Sequence, residues 1–465
     1  MFLKEKDTVF DLLAKLVSLL SKEEERKYAI EWTAAKENHI KKFIDRYKNF
    51  LAIIMNASAT GYQIGKRGIF LINEEMKKIL DSTENRKSDI FRLVIETEKR
   101  IDMYANWQNQ GVIYCLQPLN TNVEETDIAL YPHFLPQWDT GKSERKRERK
   151  FNAVFQNYMV VRVKDISPFE VIMHYWNDEG VLQKVDNGWK LRIGMSPVMD
   201  YAELRTKEKE QSTDHAVSVE GLVNEDAVNE RVLTIFERMF SEEYGMIIFP
   251  EALGSEKILN RIKEKMREWP ENYTFVVAPT ICSDGRNVLV VLGPGGVECL
   301  RQEKTAPAIL LTKDGRQERE ELCYTNQVHL LITRELGLMA FAICAELLDP
   351  DYYRLIVDTV LADTIICASF SPGVRAFHKT LLKGTSVGML ECYINTCSAQ
   401  KISRSGKTPE PLAFVNVPCC EGGDGLREIA RECGGVCAEE ICYFDIVITY
   451  KDKDFIIESI HKRCA

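Results

Sequence analysis

The chain has 465 residues, 45% of them hydrophobic and 28% charged, with a formal net charge of −9. That is an ordinary globular composition with enough apolar material for a sizeable core, and the length is a prior for more than one domain. The acidic balance excludes a molecule whose whole surface binds nucleic acid, and no apolar run reaches the length of a bilayer span, so no membrane partner is expected.

The first stretch, to about residue 110, reads as helix. Phe10, Leu13, Leu16, Val17 and Leu20 recur at helical spacing. Ser21 followed by Glu24 is a capping-box signature. The helix it opens carries Tyr28, Trp32, Ile40, Phe43, Ile44, Tyr47, Leu51 and Ile54 on its apolar side. Phe91 to Tyr104 reads as a further helix. No reacting group stands out here, so a packed helical region is expected over 1–110. Residues 111–187 are mixed. Tyr158–Val163 and Glu170–Tyr175 read as short strands of a small local sheet. Between the two regions of order, residues 142–150 hold six basic side chains from Lys142 to Lys150, with Glu144 and Glu148 among them. The run is the one place for a phosphate contact. The two carboxylates and the lack of a stacking aromatic favour a solvated face instead.

From Trp189 the rhythm becomes strand–helix–strand. Strands are expected at Leu191–Met195, Met246–Phe249, Phe275–Ala278, Val288–Leu292, Val328–Thr333, Leu338–Ile343, Thr364–Ala368 and Cys392–Cys397. Helices are expected from Asn224 to Met239, over Ile258–Met266, over Tyr352–Leu361 and from His378 to Glu391. Gly293-Pro294-Gly295-Gly296 is a turn that lacks the Lys-Ser/Thr of a phosphate loop. The alternation makes residues 188–465 an α/β layered domain.

Three short motifs in this domain carry chemistry. Pro250-Glu251 follows a strand. Arg301-Gln302-Glu303-Lys304 follows the glycine turn. Cys344 ends the apolar run Leu336–Ile343 and precedes Ala345-Glu346. A thiol can attack, a carboxylate can move protons, and an ammonium can steady an oxyanion; together they suit acyl transfer. Taken alone, a cysteine at a strand end is usually a small core residue. The order and placement of the three give the functional reading its weight.

These motifs resemble those of the nitrilase superfamily, the carbon–nitrogen hydrolases. The correspondence runs from Leu191–Met195 through Pro250-Glu251, Lys304, the Leu336–Cys344 run, Asp349-Pro350-Asp351, Asn395 and Tyr443-Phe444-Asp445-Ile446. The resemblance implies an α-β-β-α sandwich in which Glu251, Lys304 and Cys344 form a triad. It implies hydrolysis of a non-peptide C–N bond in a small amide or nitrile-like substrate through a thioester, with no cofactor and no metal. It also implies a homo-oligomer built through this domain. A second Glu is expected between the Lys and the Cys. Glu318, Glu320 and Glu321 compete for that part, and Glu320 is preferred. Ala345, Glu346, Ser369, Phe370 and Ser371 are expected to touch substrate, with the Ala345 N–H as a second oxyanion donor. The interval from Glu251 to Lys304 is shorter than the family's, and the stretch Tyr201–Val219 is longer, so the pocket is expected to be unusual. A binding or signalling module with a vestigial site, of the kind found in bacterial defence proteins, is the alternative.

Two further features are weaker. Cys419, Cys420, Cys433, Cys437 and Cys442 cluster late, but their spacing fits no standard zinc pattern. Ser369, Ser371 and His378 lack the elbow of a serine hydrolase. The 14 cysteines, with no signal-like segment ahead of them, read as reduced thiols in a cytoplasmic protein.

Overall fold

The computed structural model describes residues 2–33, 37–82, 87–101, 111–134, 136, 157–199, 201–208, 216–311, 317–323, 325–385, 389–399, 411–417, 427–431, 441–451 and 454–464. The basic run at 142–150 and Cys419, Cys420, Cys433 and Cys437 lie outside them. The chain divides into two compact units.

The first unit, 1–110 with 116–135 and 141–167, is built on the helices Val9–Ser18, Lys22–Thr33, Glu37–Arg46, Lys48–Ala59, Lys66–Leu80 and Lys87–Glu98. Thr8 and Asp11 close a capping box at the first of them. Ser21 and Glu24 do the same at the second, through Glu24 N–H to Ser21 Oγ (3.2 Å) and Ser21 N–H to Glu24 Oε2 (2.9 Å). The single helix expected from Ser21 to Ile54 is instead three segments. Tyr47 leaves the helical region at φ −103°, ψ 19°. The break leaves Phe43, Tyr47 and Phe50 all buried, and the Tyr47 hydroxyl donates to Asp89 Oδ2 at 2.8 Å. Apolar burial and one satisfied hydroxyl outweigh the helix bonds lost at the kink.

The mixed region does not form one local sheet. Tyr158–Arg162 pairs antiparallel with Ile128–Pro132 in the first unit. Glu170–Trp176 runs parallel to Gln327–Thr333 in the second, with Met173 opposite Leu330. Met173, Tyr175 and Trp176 are buried, and a strand this apolar at its end needs cover on both faces. The second unit therefore runs from 168, with 111–115 and 136–140, rather than from 188.

That second unit holds two large sheets. The eight-stranded one has the order Val112–Ile113, Glu170–Trp176, Gln327–Thr333, Leu338–Ile343, Thr364–Ser369, Leu390–Asn395, Ala413–Val417, Arg427–Arg431. The nine-stranded one centres on Phe275–Val277, Met246–Ile248, Gly188–Met195 and Ile441–Lys451. Leu191, Ile193, Ile248 and Val291 from one sheet meet Phe341, Ile343, Ile366 and Ile394 from the other in a shared core. Because side chains alternate along a strand, Ile247, Val276 and Val290 face the other way. There they pack beneath the helix Glu225–Ser241, through Val228, Val232 and Phe236, and beneath Glu256–Glu268, through Ile258 and Ile262. The helix Arg375–Thr385 covers the outer face of the eight-stranded sheet, where Phe377 meets Tyr393 at 5.3 Å between ring centroids. The layers are α-β-β-α.

A third, four-stranded sheet was not expected. Its order is Ile309–Leu311, Gln317–Glu320, Ala216–Leu222, Leu204–Glu208. It joins the long Tyr201–Val219 stretch to the segment that follows Lys304. Among the described residues, no helix is long and apolar enough to cross a membrane.

Candidate active site

Strand ends of the two large sheets bring the site together. The strand Leu338–Ile343 is buried throughout. It stops at Cys344, whose φ of +51° is rare for a residue with a Cβ and costs of order 1–3 kcal/mol. Cys344 also opens a short 3₁₀ turn, Cys344–Leu348. A sharp strand-to-turn reversal lifts the thiol off the sheet instead of leaving it in the core.

Glu346 holds that reversal. Its Oε2 accepts from Ile343 N–H (2.7 Å), and its Oε1 accepts from the Thr305 hydroxyl (2.8 Å) and from Thr305 N–H. The carboxylate thus ties the cysteine turn to the residue after Lys304. Glu346 is fully buried and all its contacts are internal. Its three bonds hold the turn at Cys344.

Lys304 ends the strand Val297–Glu303 and is buried. Its Nζ donates to Glu251 Oε1 and to Glu320 Oε2, each at 2.7 Å. Glu251 Oε1 also accepts from Asn287 Nδ2 (2.8 Å), and its Oε2 accepts from Phe370 N–H (2.8 Å). Glu320 Oε2 takes a second bond from Ala308 N–H at 2.8 Å. Every oxygen of this cluster that meets the ammonium has a second donor, which is what a buried ion pair needs to persist. On the other side of Cys344, the Ser369 hydroxyl donates to Sγ at 3.3 Å. Ser371 is turned to Asn395, which accepts from Ser371 N–H (3.0 Å) and donates to Ser371 O (2.8 Å).

The electrostatics follow from burial. Burial pushes the Cys344 thiol up to about 12, the negative Glu251 adds to the rise, and Lys304 opposes it. The resting group is therefore a thiol. For Lys304, burial works against the charge, but Glu251 and Glu320 outweigh it and hold the ammonium well above the usual lysine value. Burial raises Glu346 to about 7 against the bonds from Thr305 and Ile343.

The last shift fixes a pH dependence. The folded-state value of Glu346, about 7, lies above its ordinary 4.5. The folded state thus binds more protons in that window, and stability falls as pH rises from about 4.5 through about 7. Asp178, raised by burial to about 7, acts in the same direction. Urea unfolding across this range will show a declining midpoint. Glu346→Ala will flatten the slope by up to about 1.4 kcal/mol per pH unit. An unchanged slope in the variant would remove Glu346 as its source.

The structure brings Glu251, Lys304, Glu320 and Cys344 into one cluster, with Ser369 and Phe370 against it and Ala345 next in the chain. Glu321 follows the end of that strand and bonds through its N–H to Val217 O at 2.9 Å. Sequence reasoning missed Asn287, Thr305 and Cys282. Asn287 is a buried amide that opens an apolar strand, which was a readable signal; among the described residues its Oδ1 finds no hydrogen-bond partner. Thr305 carried no signal. Cys282 is buried, and burial together with the charges of Glu251 and Glu320 raises its thiol well above the usual value. Among the described residues, no group of His, Cys, Asp and Glu could hold a metal ion. Cys442, the described member of the late cluster, is buried.

With this geometry in view, comparison with known proteins gives a consistent set of structural neighbours. The chain is similar to Nit3 of Saccharomyces cerevisiae, a member of branch 10 of the nitrilase superfamily, at 14% identity over 55% of this chain and 92% of that one, with a TM-score of 0.35. It is also similar to an amidase of the same superfamily from Nesterenkonia AN1, at 10% identity over 55% of this chain and 93% of that one, with a TM-score of 0.36. No protein-family profile matches the chain, and no curated protein matches it in sequence.

Proposed function

We propose that the second unit is a carbon–nitrogen hydrolase that cleaves a linear amide or related group through a thioester on Cys344. The observation that carries this reading is the buried Lys304 ammonium, clamped at 2.7 Å by Glu251 and by Glu320 beside a thiol that both Glu251 and Lys304 act upon.

Glu251 takes the thiol proton as Sγ bonds to the carbonyl carbon. A thiol at about 12 is not ionised beforehand near neutrality, so proton transfer and attack go together. Lys304 Nζ and the Ala345 N–H meet the oxyanion. The intermediate collapses as Glu251 gives its proton to the departing nitrogen, leaving the acyl group on sulfur. Glu251 then takes a proton from water as the water attacks the thioester. A second oxyanion forms at the same place, and its collapse releases the acid and restores the thiol. Glu320 positions Lys304, and the Ser369 hydroxyl steadies the sulfur.

The test is acyl transfer. Incubated with short linear amides and hydroxylamine, the full chain will form hydroxamates, and intact mass will record an acyl adduct on Cys344. Cys344→Ala will lose both, by at least about 10³-fold in rate. If no amide gives a hydroxamate and no adduct forms, the hydrolase reading fails and the vestigial module stands.

A further inference from the structure

The strands Met246–Ile248 and Phe275–Val277 run parallel, and Glu251 lies just beyond the end of the first. At the opposite end, where both strands begin, is a cavity of about 720 Å³ that none of Glu251, Lys304, Glu320 or Cys344 lines. All of its lining residues belong to the second unit. Phe240 and Tyr244 line it as buried side chains, and Trp269 and Tyr273 line it while 60% and 52% exposed.

The two exposed rings are held in place. Trp269 follows the helix Glu256–Glu268, and the turn from it to Tyr273 is anchored. Asn272 N–H donates to Trp269 O at 3.1 Å, and Asn272 Nδ2 donates to Phe240 O at 3.0 Å. Gly180 backs the Tyr273 ring so closely that a Cβ there would meet Cγ of the ring at 2.8 Å. Neither ring has a cation already. Tyr244 does: Arg192 Cζ lies 3.9 Å from its ring centroid. Among the described residues, no lysine or arginine lies over Trp269 or Tyr273.

The charge of the wall is negative. Glu237, Glu243, Glu268 and Glu271 line the cavity beside one cation, Lys265. Lys265 is engaged by Glu237 at 3.5 Å and by Glu268 at 3.4 Å. Among the described residues, no ion pair involves Glu243 or Glu271. An anion is thus excluded. Surface carboxylates alone attract any cation weakly, and the two rings make the selection. A small hydrated metal ion finds no ligand on a ring face, and among the described residues no group of His, Cys, Asp and Glu could hold one. An alkylated ammonium suits both features. Its methyl groups hold little water, the ring faces attract its charge, and the carboxylates balance it. The volume is that of a small-molecule site.

We propose that this cavity binds a small quaternary ammonium compound, its cationic head against Trp269 and Tyr273 and its charge balanced by Glu243 and Glu271. This is a second site, and it stands or falls independently of the hydrolase reading.

The experiment compares choline with its neutral isostere 3,3-dimethylbutan-1-ol, which has the same shape and no charge. Their binding to the full-length chain is measured by ligand-observed NMR titration. Choline is expected to bind about 10-fold tighter than the alcohol. Trp269→Ala will weaken choline binding by about 5-fold. Glu243→Gln combined with Glu271→Gln will weaken it by about 3-fold and leave the alcohol unchanged. Should Trp269→Ala not fold, Trp269→Phe keeps a ring with a weaker field, and the preference for choline drops. Equal binding of the two compounds, no saturable binding of choline, or a choline affinity unchanged by the ring variant or by the paired glutamine variant overturns the proposal.

Discussion

Lys304→Met will cost the fold about 3–5 kcal/mol and will lower amide turnover by about 10²–10³ beyond the loss of folded protein. The ammonium is buried between Glu251 and Glu320 at 2.7 Å from each. Methionine fills much of the same volume, so packing is nearly kept and the change isolates the charge. It leaves two carboxylates with no cation between them, a larger penalty than the original pair was worth, because each remaining charge keeps its desolvation cost. In the variant one carboxylate is driven to hold a proton, as like charges in a shared site require. A carboxyl whose folded value is raised gives stability that is lost as pH rises. Lys304→Met will therefore lie nearest to the unmodified chain at low pH and fall away as pH increases. Adding Glu320→Gln to it will recover a large part of the lost stability and none of the activity. Urea midpoints over a pH series, with hydroxamate formation on the same samples, separate the two effects. A single variant as stable as the parent would mean that the ion cluster is not buried in solution.

The same cluster shows what a sequence discloses and what it withholds. Glu251, Lys304 and Cys344 were legible because each sits where a strand ends, and strands of buried apolar residues are the strongest local signal a chain carries. Leu338–Ile343 has the same bounds in the structure as in the reading. Glu320 was one of three candidates, and only its bond to Lys304 in the folded chain separates it from the others. That strand, Gln317-Glu318-Arg319-Glu320, has no apolar residue. Nothing local marks it as extended; it forms because Ile309–Leu311 and Ala216–Leu222 flank it. The long charged stretch after the first strand looked like an insertion without a role. Its partner is the strand that carries Glu320, so the site's odd wall is built from two segments about a hundred residues apart, a pairing no periodicity reveals. Glu346 was read as a substrate contact because it follows the nucleophile. Two of its three internal donors come from Thr305, which lies close only once both sheets are stacked. The parallel pairing of Glu170–Trp176 with Gln327–Thr333 was hidden for the same reason.

Glu251→Gln settles how the thiol is activated, because two roles for this carboxylate predict opposite signs. Glu251 sits close enough to raise the Cys344 thiol, second only to burial in that effect. If it were merely a nearby negative charge, its removal would ease ionisation, and alkylation of Cys344 by chloroacetamide would speed up. If it is the base, its removal leaves the thiol, at about 12, with no acceptor, and alkylation slows. Glutamine keeps the size, and its amide oxygen can still accept from Lys304 and Asn287; what it gives up is the bond from Phe370 N–H. The general-base role requires labelling of Cys344, mapped by peptide mass, to fall by about 10-fold or more, and amide turnover to fall by about 10²–10⁴. The other cysteines serve as internal controls: Cys367 and Cys392 are buried, and burial raises both thiols, so neither competes. Faster labelling in Glu251→Gln, with turnover unaffected, would make Glu251 a structural counter-ion of Lys304 and would leave the thiol without its base.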